Sequence, residues 1–178
     1  KINEKGELII TYHLRPEAKW DNGDPITAKD VEFSLKVMKN PKINNQRMRP
    51  YFEFIKDMDM QLYHEDPLKF SFICKEKYIL AESVSGDFPI LPQSVYDPKG
   101  LMKDFTVLDL NEKAGQLAND PKINEFAADF NSEKFQREKG FVVGSGAYVF
   151  DEWVTGQKVV FVRKQNWWGD QIKGTNIY

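Results

Sequence analysis

Cysteine occurs once in the 178 residues and histidine twice. A single cysteine excludes an intrachain disulfide. Cys74 lies in the alternating stretch LKFSFICK, where a buried small hydrophobe is the expected role. A nucleophile would need a neighbouring base and an electropositive setting. His13 and His64 stand fifty-one residues apart and outside any HExxH-type spacing. With one cysteine beside them, no metal site is expected, and His13 reads as a structural strand residue. Basic charge is not in excess either: 25 Lys and Arg against 27 Asp and Glu leave a net charge of −2. That balance argues against nucleic acid as a partner, because phosphate neutralisation needs a basic surface. No stretch approaches the ~20 consecutive apolar residues of a membrane-spanning helix, and the sequence carries no internal repeat.

What the chain does hold is core material. Apolar residues make up 41% and aromatic residues 13%, enough for one domain or two small ones. The first residues, KINEKGELIITYHL, run almost at once into a strand, and the last, GTNIY, end as abruptly. The expectation is a piece of a longer protein.

The segment ELIITYHL, Glu7 to Leu14, is β-branched and aromatic, hence a strand. After it, RPEAKWDNGDP is a turn-rich link in which Asn22-Gly23 favours positive φ. Thr27 reads as a helix N-cap with Asp30 as its capping-box partner, and Ile26 and Val31 occupy the staple positions. Val31, Leu35 and Met38 share one helical face, which Phe33 and Val37 widen; the helix should stop near Asn40, ahead of Pro41. YFEFIKDM is a short helix or an approach to a strand. DMDMQLYHE and LKFSFICKE alternate and predict a β-hairpin across the intervening DP. YILAESVS predicts a short helix, and GDFPILPQSVY, with its two prolines, an extended stretch. Residues 100–140 are charged and helical: two surface helices with one apolar stripe each. Asp120 is the cap, Pro121 takes N1, Ile123, Phe126, Ala127 and Phe130 share a face, and Gly140 is the stop. GSGAYVFDEWVTGQKVVFVRK predicts a strand, a TG turn and a second strand. The class is α/β in the mixed α+β sense, a small mixed sheet with flanking helices.

Candidate chemistry is sparse. Asp21, Asp24 and Asp30 form a local acidic group that could do acid–base work or hold a hard cation, but their spacing does not fit an EF-hand, and turn and cap duties already explain Asp21 and Asp30. Ser145 between Gly144 and Gly146 does not match the G-x-S-x-G nucleophile elbow, and no GK[ST] follows for a phosphate loop. The two glycines suit a tight backbone crossing. Trp20, Trp153, Trp167 and Trp168 could stack on a sugar or a peptide side chain, although packing is the commoner use of such residues. Trp167 and Trp168 at a strand end should point to opposite faces, leaving at least one exposed. No catalytic constellation emerges, and the residues alone describe a binding module rather than an enzyme.

Three segments together resemble the family 5 extracellular solute-binding proteins. The first, YHLRPEAKWDNGDPITAKDVEFSL, carries Leu14, Arg15, Trp20, Asn22, Gly23, Pro25, Thr27, Ala28, Asp30, Val31, Phe33 and Ser34 in the family's order. The second, ILPQSVY, is similar to the family's ILPKH element. The third carries Gly144, Gly146, Tyr148, Trp153, Gly156, Val159, Arg163, Asn166, Trp168 and Gly169, with Ala147 in place of the usual proline. Residues 100–140 look like a helical insertion beyond the common length.

The resemblance implies a type II periplasmic-binding-protein-like fold with two ligand-clasping lobes. Residues 1–178 would be the inserted small domain plus edges of the N-terminal lobe. It implies an ABC importer component that captures oligopeptides or a related solute by lobe closure and passes them to a membrane permease, with no cofactor. The location would be periplasmic or extracytoplasmic, lipid-anchored in the full-length protein. Relatives carry peptides, nickel chelates, haem or sugars, so the solute stays open. In oligopeptide binders an acidic residue of the other lobe holds the peptide amino terminus, so this piece, monomeric by itself, should bind weakly or not at all. Alignment brings Tyr51 near an aromatic contact residue and Ser85 near the bend before ILP. A peptide-sensing receptor is the alternative; a peptide hydrolase is disfavoured, since no nucleophile–base set is visible.

Overall fold

A computed structural model describes residues 1–172; the closing GTNIY lies outside the described residues. Five strands and eight short helices follow one another: β1 (Leu8–His13), α1 (Ala28–Lys39), β2 (Ile55–Asp59), α2 (Gln61–Glu65), β3 (Lys69–Cys74), α3 (Ala81–Gly86), α4 (Gln93–Tyr96), α5 (Val107–Glu112), α6 (Ala114–Leu117), α7 (Pro121–Phe130), α8 (Glu133–Arg137), β4 (Tyr148–Val154) and β5 (Lys158–Arg163). Short 3₁₀ turns at Arg49–Phe52, Leu101–Asp104 and Trp168–Gln171 complete the described path.

The mixed class is as expected, but the strands form two antiparallel sheets rather than one mixed sheet. The first has the order β1-β3-β2 and the second is the β4–β5 hairpin. β3 is central, which is why Phe70, Ser71, Phe72 and Cys74 are all buried, on both of its faces. Ser71 keeps its hydroxyl satisfied there through Thr11 Oγ1 at 2.8 Å. The β2–β3 pairing is antiparallel as predicted, but QLYHE is helix α2 and not strand. Its apolar residues are compatible with either period, and the chain uses one helical turn to reverse direction before Pro67.

α1 begins and ends where its caps predict, Thr27 before and Asn40 after. Its capping box forms, with the Asp30 carboxylate accepting from the Thr27 backbone N–H at 2.9 Å. The helix is not one-sided. Val31, Leu35 and Met38 pack on the first sheet with Ile55, Phe70 and Phe72. Phe33 and Val37 enter a second cluster with Met102, Leu110, Ile123, Phe126 and Phe135. Thus residues that seemed to widen one stripe serve a different layer. The staple pair divides in a related way: Ile26 packs with Ala18 and Trp20, Val31 with the sheet.

The 100–140 segment therefore supplies most of the second cluster rather than two surface helices. It breaks into α5, α6, α7 and α8. Asp120 caps α7 through the N–H groups of Lys122 and Ile123, with Pro121 at N1 as read from the sequence. The continuous helix expected as far as Gly140 ends at Phe130, and α8 restarts after Ser132 and ends at Arg137. Gly140 serves a later turn at φ +89°. Likewise ILPQSVY is extended only to Pro92, and Gln93–Tyr96 closes one helical turn.

Candidate functional site

Tyr51 follows Pro50 in the 3₁₀ turn Arg49–Phe52, where the proline presets the first backbone angle. The turn buries Phe52 and leaves Tyr51 63% exposed. Beside it, Phe54 and Tyr78 meet at 5.3 Å between ring centroids. Pro50, Tyr51, Phe54, Glu76, Lys77 and Tyr78 line an open groove of about 360 Å³. Ile79 and Leu80, both exposed, continue this apolar edge toward α3. An aromatic groove rimmed by one acid and one base can take a flat or aliphatic side chain beside a polar backbone.

Ser85 is placed differently. It is buried in α3, where its hydroxyl donates to the Ala81 carbonyl at 2.5 Å and shares a 2.7 Å hydrogen bond with Tyr12. Tyr12 in turn stacks on Phe70 of β3. Ser85 thus fastens α3 to the sheet, and α3 packs against the turn that carries Tyr51. The two residues thus lie on adjoining elements, one exposed and one beneath the surface.

The residues of the first and third motifs converge elsewhere, in a latch. Trp20 is buried with Ala18 and Ile26, and Trp168 packs against this cluster. Asp21 accepts from the Gly144 N–H at 3.0 Å and forms an ion pair with Lys164. The Ser145 carbonyl accepts from both the Trp167 and the Trp168 indole N–H, each at 2.8 Å. The expectation that these two rings point to opposite faces of a strand is therefore overturned. They lie beyond β5, 5.2 Å apart, and converge on one oxygen. A Cβ at Gly169 would sit 2.2 Å from the Trp167 ring, which explains that glycine sterically.

Gly144 and Gly146 have no such explanation: neither has positive φ, and a Cβ on either meets nothing within 4 Å. The tight crossing expected there is not seen, and the segment acts through its backbone N–H and C=O groups. Gly23, at φ +89°, is required by the Asn-Gly turn as predicted. Tyr148 and Trp153 lie exposed on β4, with the Arg163 and Arg137 guanidinium groups over their rings at 5.9 and 5.3 Å.

The acidic trio disperses into separate duties. Asp21 holds the latch, Asp24 pairs with Asn22, and Asp30 caps α1 while also accepting from the Gln93 N–H at 3.2 Å. Among the described residues no group of three or more His, Cys, Asp or Glu is placed to hold a metal ion. Cys74 is fully buried, and burial pushes its thiol up to about 11. His13 pairs with Asp66 at 3.2 Å on the surface. Sequence reasoning missed Lys39, a buried lysine at the end of α1. Only its place four residues after Leu35, beside the sheet-facing stripe of α1, hinted at it.

Comparison with known proteins places this geometry. The family model for bacterial extracellular solute-binding proteins, family 5 Middle, matches residues 3–177. The chain is 25% identical over 169 residues to peptidoglycan-binding protein YepA of Agrobacterium fabrum, covering 93% of this chain and 21% of that protein. It is 23% identical over 171 residues to the periplasmic oligopeptide-binding protein OppA of Escherichia coli, covering 94% and 27%. The fold resembles that of the oligopeptide-binding protein AppA of Bacillus subtilis, solved with a nonapeptide. The TM-score is 0.60 at 20% identity, over 94% of this chain and 27% of that one. The chain thus spans about a quarter of the length of these relatives. No helix among the described residues is long and apolar enough to cross a membrane. With a match that runs from Asn3 nearly to the last residue, the chain belongs to the family 5 bacterial extracellular solute-binding proteins.

Proposed function

We propose that this chain is part of the substrate-binding component of an ABC importer, which captures an oligopeptide or related solute outside the cytoplasm by lobe closure and hands it to a membrane permease. The observation that carries this reading is the family match over residues 3–177, with relatives named for oligopeptide binding. Residues 1–178 form the small domain and edges of the N-terminal lobe, consistent with a span of about a quarter of those relatives. Tyr51, with Phe54 and Tyr78, supplies an aromatic wall for a solute side chain, and Ser85 holds α3 beneath that wall. Binding of this kind needs no bond-making step; its energy comes from closure on the ligand.

The test is native mass spectrometry of the full-length protein purified without refolding, followed by calorimetry with the peptide it retains. A co-purified peptide is expected. Tyr51→Ala should weaken it roughly 5- to 10-fold, the worth of about one aromatic contact. The isolated 178 residues should show no micromolar binding. A full-length protein that retains no peptide or other small solute, and binds none from a mixed panel of peptides, metal chelates and sugars, would overturn the proposal.

A further inference from the structure

On the far side of the Arg49–Phe52 turn from the aromatic groove lies a cavity of about 310 Å³. Met38, Phe52, Leu110 and Ala114 form its apolar wall, while Lys39, Arg49, Lys75, Glu53 and Asn111 bring polar groups to it. Four separate elements meet there: the end of α1, the 3₁₀ turn, the exit of β3 and the α5–α6 corner.

Its charge is unbalanced. Three cationic side chains face one carboxylate, Glu53. Lys39 is only 8% exposed, yet among the described residues it forms no ion pair. Its ammonium donates to the Asn111 side-chain oxygen at 3.1 Å and, at 3.5 Å, to the Phe52 carbonyl. Both acceptors are neutral, and an ammonium has three N–H groups to place. The Arg49 Nε–H, also buried, has no acceptor among the described residues, although its terminal nitrogen donates to the Asn40 and Ile43 carbonyls. Buried cations in this condition are costly unless an anion joins them.

We propose that this cavity is a binding site for a small oxyanion, held by Lys39, Arg49 and Lys75. A carboxylate or a phosphate carries the acceptors that Lys39 and Arg49 lack, and either fits the volume beside the apolar wall. Desolvation pushes the Lys39 ammonium down to about 8, reinforced by Lys75 and Arg49 and opposed by Glu53 and Asp57. A bound anion reverses that tendency, because it favours the charged amine. The site is independent of the aromatic groove and of peptide capture.

The full chain is titrated with inorganic phosphate and, separately, with butyrate, against chloride at matched ionic strength. Binding is followed by calorimetry and by the Lys39 Cε chemical shift. Saturable millimolar binding is expected, with the Lys39 titration midpoint moving to higher pH. Saturation by phosphate alone, butyrate alone or both supports the site and names its ligand. Lys75→Ala, at the exposed rim, should weaken binding roughly 2- to 5-fold without affecting the fold. Lys39→Met should abolish it. Absence of saturation by either anion, or binding unchanged in both variants, overturns the proposal. Should Lys39→Met fail to fold, the wild-type midpoint and Lys75→Ala decide.

Discussion

Single side chains here have sharply unequal consequences. Gly169→Ala forces a Cβ into the Trp167 ring, so it should cost about 1–3 kcal/mol in thermal or urea unfolding; a change within ~0.5 kcal/mol would contradict the latch geometry. Gly144→Ala, with open space around it, should be nearly neutral. Asp30→Ala should cost more than Thr27→Ala, whose loss is worth about 1 kcal/mol. Asp30 holds both the Thr27 and the Gln93 N–H groups, so its removal also loosens the ILPQ segment from α1. Lys39 makes stability depend on pH. Its folded pKa, near 8, lies below the ordinary 10.5, so between these values the unfolded chain binds more protons. Stability should therefore rise through this window, and Lys39→Met should flatten that rise. Denaturation midpoints of the two proteins across alkaline pH check the sign.

Among the elements, α1 decides how the others cohere, because it is shared by both large clusters. Phe126 meets Phe33 of α1 edge to face at 5.9 Å. Phe126→Ala should cost about 3–5 kcal/mol. Excising residues 100–140 with a short linker should abolish cooperative unfolding, since it would expose Phe33 and Val37; a chain that still unfolds in one sharp transition would show the segment to be an appendage. Much of this level is legible in the sequence. The caps of α1 and α7 and the β4–β5 turn rest on short-range chemistry, and they appear where that chemistry puts them. What was not legible is set by distant partners. Phe33 and Val37 look like the margin of one stripe until a second layer exists to receive them. QLYHE satisfies two periods, and only the need to turn back chooses one. Lys39 reads as a solvated helix end because nothing local reveals the α5–α6 corner that covers it. Tyr51 is singled out through resemblance alone, while the neighbours that line the groove with it, Phe54 and Tyr78, carry no motif.

At the scale of the molecule, the β4–β5 hairpin is the loosely held part. An isolated two-stranded hairpin has little stability of its own. It is tied to the rest by the Asp21 latch, by Arg137 over Trp153 and by the exposed Lys139–Asp151 ion pair. All four tryptophans lie on the latch or the hairpin, whereas the helices that dominate far-ultraviolet dichroism belong to the two large cores. The two signals therefore report different regions. In the wild-type chain their unfolding transitions should nearly coincide. Asp21→Ala should lower the fluorescence midpoint below the dichroism midpoint, and transitions that stay superimposed would show that the latch is not what couples them. The Trp167–Trp168 pair sharpens such a measurement. Two indoles this close, fixed at a 53° tilt by one shared carbonyl, couple their transition dipoles. The pair should give an exciton couplet that vanishes when the rings part, so the chain carries an optical gauge of its own latch, readable without any attached label.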